Sequence, residues 1–245
     1  MATDYSVTKY FGVNLAGLLS DKITAVDISF DKRNFIKAVG KGIEEKTLTQ
    51  RVDWIAGCLQ KFLPAQYPDA VSVLLQILGP ENEKETGMFT NFYWLMPVGK
   101  FVEKYGLEHF SQSLNAIEEI TKRNTGEYAI RPFVRKYPDK TLKQMKKWAG
   151  SSNFHLRRLA SEGLRPKLPW ASKLDLFIED PQPVFDILEL LKTDPVSFVK
   201  KSVANHLTGY LKVNRPAADS LIRQWTKSDN VHTQWIIKHA TRKLI

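Results

Sequence analysis

The chain of 245 residues carries 36 Lys and Arg against 26 Asp and Glu, a formal net charge of +10, and 43% of its residues are hydrophobic. This composition is sufficient for a buried core and excludes intrinsic disorder. Charges interrupt every apolar segment well before 18 residues, so we predict no membrane-spanning helix. The first residues, MATDYSVTKYFG, show no basic region followed by an apolar one. We therefore expect no secretory leader and a cytoplasmic protein.

Cysteine and histidine usage limits the chemistry that the chain can carry. The only cysteine is Cys58, so a disulfide framework is excluded, and the five histidines show no metal-ligand spacing with it. The sequence also lacks the short motifs of nucleotide-binding loops, zinc proteases and serine hydrolases. We expect neither a metal nor another cofactor.

Apolar residues recur at helical spacing along the chain. In TLTQRVDWIAGCLQKFL they share one helix face, at Leu48, Val52, Ile55, Leu59 and Leu63. Breaks rich in Pro and Gly separate helical segments of 10–18 residues, at LPAQYP, GPENEKETG, KYPDK and EDPQP. No segment alternates apolar and polar residues over a strand's length. The pattern predicts an all-α fold.

The positive charge is concentrated in the C-terminal half. Residues 1–122 contain 13 Lys and Arg against 15 Asp and Glu, whereas residues 123–245 contain 23 against 11. This asymmetry favours a polyanionic partner for the second half, because clustered Lys and Arg bind nucleic-acid phosphates in a salt-dependent way. A basic surface that only keeps the protein in solution is the alternative.

Three segments of the basic half resemble one another: SSNFHLRRLASEG, TDPVSFVKKSVANH and SDNVHTQWIIKHAT. Each places a capping Ser, Thr or Asp and a turn before a helix that carries basic and small residues. Arg157 and Lys200 are 43 positions apart, close to the period of HEAT-type helix pairs. We predict an α-solenoid of HEAT-like helical repeats with a concave basic face, in a single domain 1–245 whose basic repeats at 123–245 carry the site. An irregular helical bundle is the alternative.

One segment of the basic half combines charged and aromatic residues in an unusual way. If 154–162 is helical, Arg158 and Glu162 lie one turn apart and can form an ion pair. Gly163 then ends the helix, and two prolines fix a loop that presents Trp170. A carboxylate held by arginine beside a presented tryptophan is a candidate site. A surface ion pair and a core tryptophan would give the same pattern.

The strings RRLASEGLRPKLPWA, TKRNTGEYAIRPF and KKSVANHL resemble the AlkC branch of the HEAT-repeat alkylpurine DNA glycosylases. The resemblance extends to MFTNFYWLMPVGKFVEKYGLEHFSQSL and covers nearly the whole chain. It implies an enzyme that removes N3-methylated adenine and similar cationic purines from double-stranded DNA without tight base flipping. It also implies a monomer associated with the nucleoid of a bacterial-type cytoplasm. We do not expect the immunoglobulin-like tail of some relatives, because the sequence ends at Ile245 in its last predicted helix.

The resemblance also implies roles for individual residues. Glu127 and Glu162 would stabilise an oxocarbenium-like sugar, Arg158 would orient Glu162 or bind a phosphate, and Trp170 would face the sugar of the lesion. The cations expected to bind DNA phosphates are Arg131, Arg157, Arg165, Lys167, Lys200, Lys201 and Lys238. In the alternative interpretation, the two carboxylates only form salt bridges between neighbouring repeats.

One position departs from the family pattern. The family reads Asn-Leu-Asn-Asp after SVAN and uses the Asp as a catalytic carboxylate, whereas this chain reads SVANHLTGY and has Gly209 there. Loss of one such group costs about 3 kcal/mol of transition-state stabilisation. Two function classes therefore remain, a weakened glycosylase and a non-catalytic relative that binds damaged, bent or branched DNA. A protein-binding solenoid would not explain the distribution of charge.

Overall fold

A computed structural model describes residues 7–242, which contain fourteen α-helices, two 3-10 turns and no β-strand. The prediction of an all-α fold is confirmed. None of the helices in this range is long and apolar enough to cross a membrane. The predictions about a leader and about a last helix that reaches Ile245 lie partly on residues 1–6 and 243–245, outside the described residues.

The chain divides into two compact units, and the first comprises residues 7–82 and 87–125. Its helices are α1 (Val13–Thr24), α2 (Lys32–Gly40), α3 (Leu48–Phe62), α4 (Tyr67–Gln76), α5 (Met96–Tyr105) and α6 (Phe110–Thr121). The apolar face predicted for α3 is buried at Val52, Ile55 and Leu59. Burial of such a stripe against α2 and α5 is what stabilises an amphipathic helix of this length.

The second unit comprises residues 83–86 and 126–242. Its helices are α7 (Arg131–Lys136), α8 (Pro138–Ala149), α9 (Phe154–Glu162), α10 (Asp175–Glu179), α11 (Gln182–Leu191), α12 (Ser197–Val213), α13 (Arg215–Trp225) and α14 (Val231–Thr241). The longest, α12, packs against α9, α11, α13 and α14. Along the sequence, the boundary between the units lies between residues 125 and 126. This is three residues after the boundary between residues 122 and 123 at which the net charge changes sign. The prediction of a single domain stays a prediction.

Two helices of the second unit begin in the same way. Ser151 accepts a hydrogen bond from the amide of Asn153 (3.1 Å), and the Asn153 side chain accepts from the amide two residues further on (2.9 Å). Ser228 and Asn230 repeat these bonds at the start of α14, at 3.3 and 2.9 Å. The N-caps are thus Asn153 and Asn230, not the predicted Ser, Thr or Asp. The shared geometry supports the predicted internal repeat.

An ion pair connects α9 with the segment that leads into α12. The Nε of Arg157 lies 2.6 Å from Oδ2 of Asp194, and its Nη1 donates to the carbonyls of Ser151 and Ser152. Asp194 in turn accepts from the amide of Val196 (2.9 Å). The phosphate-binding role predicted for Arg157 stays a prediction, but its guanidinium is engaged by groups of the protein itself.

We expect Asp194→Ala to lower the free energy of unfolding by about 2–3 kcal/mol, because it leaves a largely buried guanidinium without its carboxylate. Asp229→Ala, at an exposed position, is the control and is expected to change it by less than about 0.5 kcal/mol. Urea unfolding followed by circular dichroism measures both. Equal stability of the two variants would contradict the assigned role of Asp194.

Candidate active site

Two buried carboxylates share one guanidinium in the second unit. Glu127 stands in the turn before α7, and Arg158 and Glu162 stand one turn apart on α9. Nη1 of Arg158 lies 2.7 Å from Oε2 of Glu127, and Nη2 lies 3.9 Å from Oε2 of Glu162. Glu127 and Glu162 are 3% and 5% exposed. The structure therefore brings together three of the four residues predicted to be catalytic.

Glu162 is held by further groups at both of its oxygens. Nη1 of Arg165 lies 2.5 Å from Oε1, and the Ser202 hydroxyl donates to Oε2 over 2.6 Å. Burial by itself would raise the pKa of Glu162, but the charges of Arg158 and Arg165 and the Ser202 hydrogen bond outweigh it and lower that pKa. Glu162 is therefore a fixed anion at neutral pH, suited to stabilise a nearby positive charge.

The face of Arg158 rests on an aromatic ring. Its Cζ lies 4.7 Å from the ring centroid of Phe198, in the first turn of α12. The Phe198 amide donates to Oε2 of Glu85 (2.8 Å), which comes from the short segment 83–86 of the same unit. A cation–π contact and a carboxylate at the N-terminus of a helix are both stabilising. Together they fix the start of α12 against Arg158.

One stripe of α12 faces this site. Phe198, Ser202, His206 and Gly209 follow one another at spacings of four, four and three residues, so they share one helix face. A Cβ atom on Gly209 would lie 3.6 Å from Cγ of Pro166, an ordinary contact. Position 209 therefore has room for a side chain, about 10 Å along the helix axis from Ser202.

His206 lies within this stripe as a buried, uncharged ring. Its Nδ1 lies 3.5 Å from the Ser161 hydroxyl, its ring stacks on Tyr210, and its Nε2 has no hydrogen-bond partner among the described residues. Burial and the charge of Arg165 lower its pKa to about 3. The imidazole is therefore neutral at physiological pH.

Trp170 lies on the loop between α9 and α10. It is 66% exposed and has a φ of 60°, in the left-handed region that few residues other than glycine adopt. Arg131 holds this loop, since its guanidinium donates to the carbonyls of Gly163 (3.2 Å), Arg165 (2.9 Å) and Ser172 (2.5 Å). Arg131 is 2% exposed. The contact of Arg131 with DNA phosphate stays a prediction. In the structure, its guanidinium donates hydrogen bonds to main-chain carbonyls.

A cleft of about 550 Å³ opens beside Gly209. Cationic side chains from the loop, from α12 and from the end of α14 line it: Arg165, Lys167, Lys173, Lys212 and Arg242. The remaining lining residues are neutral by type or histidine, and no Asp or Glu is among them. Because Arg165 also binds Glu162, the cleft adjoins the carboxylate site.

The other predicted phosphate-binding cations lie on α12 and α14. Lys201 and Lys238 are exposed. Lys200 is half-buried, with its Nζ 3.4 Å from Nδ1 of His232 and 5.2 Å from the ring centroid of Trp235. In residues 7–242, no group of three His, Cys, Asp or Glu could hold a metal ion.

Sequence reasoning missed Ser202 and Phe198, although both lie in or next to the string KKSVANHL. Their spacing of four residues indicated a shared helix face but not which residues it would meet. Arg165 was predicted to bind phosphate, and the structure adds its contact with Glu162. The partners of Ser202 and Phe198 depend on how α9 packs on α12, whereas the contact of Arg165 with Glu162 is local, three residues apart.

Comparison with known proteins gives three findings. Residues 94–244 match the family model described as DNA alkylation repair enzyme. The chain is 37% identical over 217 residues to the uncharacterized protein YhaZ of Bacillus subtilis (strain 168), covering 88% of this chain and 58% of that protein. A solved structure, Pseudomonas fluorescens alkylpurine DNA glycosylase AlkC bound to DNA containing an abasic site analog, is similar with a TM-score of 0.87 and 33% identity. The similarity covers 98% of this chain and 64% of the AlkC chain. This chain therefore spans less than two thirds of the length of each of the two relatives.

As the pH is lowered, we expect the free energy of unfolding to fall more steeply in the wild type than in the His206→Asn variant. Below pH 6.5 the unfolded chain protonates this histidine, whereas the folded chain does not until about pH 3. Folding stability therefore falls with pH in that window, by about 2 kcal/mol between pH 7 and pH 5. Urea unfolding at pH 7, 6 and 5 measures the two slopes. Parallel pH profiles for the two proteins would refute the buried, neutral state of His206.

Proposed function

Because this chain belongs to the DNA alkylation repair enzyme family, we propose that it excises cationic alkylated purines, such as N3-methyladenine, from duplex DNA. The observation that carries this proposal is the pair of buried carboxylates, Glu127 and Glu162, held around Arg158 beside a cationic cleft. Carboxylates repel DNA phosphates, so their place in a basic region calls for a function. Stabilisation of a cationic transition state is such a function.

The proposed reaction is hydrolysis of the glycosidic bond. In a methylated purine the base already carries positive charge, so the bond electrons pass to the base and a neutral base leaves without needing an acid. The sugar then acquires oxocarbenium character, which the side chains of Glu127 and Glu162 stabilise. Water adds to the anomeric carbon and releases one proton, leaving an abasic site. Because the pKa of Glu162 is lowered, its contribution is electrostatic rather than that of a strong base.

Binding of the duplex would rest on the exposed and half-exposed cations of the second unit. We assign phosphate contacts to Arg165, Lys167, Lys200, Lys201 and Lys238, on the concave basic face of the predicted solenoid. Such contacts position DNA without reading its sequence. Trp170, two-thirds exposed on its loop, would face the sugar of the lesion. We propose that the chain acts as a monomer and without a cofactor.

A second candidate function is binding of damaged, bent or branched DNA without catalysis. Gly209 favours it, because the resemblance implies a third carboxylate at this position. The retained pair of Glu127 and Glu162 favours the enzyme, and we take a slow glycosylase as the first proposal.

Base release from methylated duplex DNA tests this proposal. With protein at saturating concentration, so that only the chemical step is compared, we expect slow release by the wild type, a loss of about 100-fold or more in Glu162→Gln, and a gain of about tenfold or more in Gly209→Asp. Glu179→Gln, at an exposed position of α10, is the matched control and should act as the wild type. Salt-sensitive DNA binding with no release by any variant would identify the non-catalytic relative.

We expect Trp170→Ala to lower the rate of base release about tenfold and Trp170→Phe to retain most of it, since the aromatic face is what the sugar cation requires. The free energy of unfolding should change by less than about 0.5 kcal/mol, because the side chain is mostly exposed. Single-turnover kinetics and urea unfolding give the two readouts. Equal rates for the Ala and Phe variants would exclude a role for the aromatic ring.

A further inference from the structure

We propose that the cleft beside Gly209 is a phosphate-binding site, which this chain possesses because position 209 carries no carboxylate. The inference rests on the proposed function only in taking DNA as the main source of the phosphate. It concerns how the chain holds its ligand, and it does not require that any base be released.

The charges of the cleft are largely uncompensated. Of its five cations, Arg165 is paired with Glu162. Lys167, Lys173 and Lys212 form no ion pair with a carboxylate of the described residues. Cations that converge on one cleft repel each other, and an anion placed between them relieves that repulsion. The cleft therefore favours a negatively charged occupant over a neutral one.

Polar groups and dimensions of the cleft fit a phosphate group. Asn205 provides an amide in the lining, one turn of α12 before Gly209. The volume of about 550 Å³ exceeds that of a phosphate ion and suits a phosphodiester with its flanking sugars. His239, also in the lining, has its pKa lowered by burial and by the charges of Arg242 and Lys201, which agrees with a positive potential there.

Gly209 is the position at which charge can be changed without blocking the cleft. It lies in the lining, inside α12, and a Cβ atom there meets Pro166 only at contact distance. Asp and Asn have similar size and similar helix propensity, so the two substitutions differ mainly in charge. A carboxylate at 209 would compete with a phosphate for the same cations, whereas an amide would not.

The test uses an undamaged, fluorescently labelled duplex, so that no base release is needed. We expect Gly209→Asp to weaken binding about tenfold and to lower the salt slope by about one, whereas Gly209→Asn stays within about twofold of the wild type. Lys212→Gln should weaken binding severalfold, and Lys227→Gln, exposed and outside the cleft, should not. Fluorescence anisotropy across a salt series measures all five proteins.

A second arm distinguishes the sources of the phosphate. Thermal unfolding in inorganic phosphate is compared with chloride at equal ionic strength. Stabilisation of the wild type that Gly209→Asp abolishes would identify a free or terminal phosphate as ligand. Absence of that effect, with charge-dependent duplex binding, would identify the backbone phosphodiester. Both outcomes support the site.

The inference is overturned if the Asp and Asn variants bind duplex equally and respond equally to phosphate. Its failure is separable from that of the proposed function. Charge-dependent binding without base release by any protein would refute the glycosylase and leave the phosphate site standing. Base release by the wild type, with identical binding by the Asp and Asn variants, would refute only the phosphate site.

Discussion

The geometry of the second unit depends on the largely buried guanidinium of Arg158. A buried cation costs several kcal/mol unless it is paired, and Arg158 is paired on one side by Glu127 and on the other by Glu162. Burial alone would lower its pKa, but the two carboxylates raise it, so the charge is retained. Glu127 forms its ion pair with this guanidinium, and Glu162 lies between it and the guanidinium of Arg165. The three groups therefore keep one arrangement, which joins the turn before α7 to α9.

The stripe on α12 extends this arrangement along a second helix. Phe198 contacts Arg158, Ser202 binds Glu162, and further along the same face Gly209 approaches the loop that follows α9. The contacts advance in the same direction along α9 and α12. The character of the stripe changes along its length, from groups that fix the carboxylate site to a glycine that leaves the adjoining cleft open.

The sequence was sufficient for features that depend on neighbours along the chain. The bounds of α9, its end before Gly163 and the proximity of Arg158 to Glu162 follow from spacing and end signals, and the structure reproduces them. The sequence was not sufficient to predict side-chain contacts that depend on how the helices pack. Ser202 meets Glu162 only because α12 lies on α9, and Arg157 meets Asp194 across 37 residues. A charge pattern shows that a cation exists, but whether a carboxylate, a carbonyl or a ligand neutralises it is decided by the fold.

The anchoring of the loop between α9 and α10 has a consequence for how this part of the chain can vary. Arg131 holds the main chain at both ends of the loop, at Gly163 and Arg165 and again at Ser172, and the amide of Leu174 returns to the carbonyl of Pro166 (3.0 Å). The acceptors of these hydrogen bonds are main-chain carbonyl oxygens, which every residue type possesses. The anchoring itself therefore does not depend on which side chains lie between these points, whereas an added or deleted residue would move the carbonyls out of reach. Among relatives, the length of this loop should therefore stay constant.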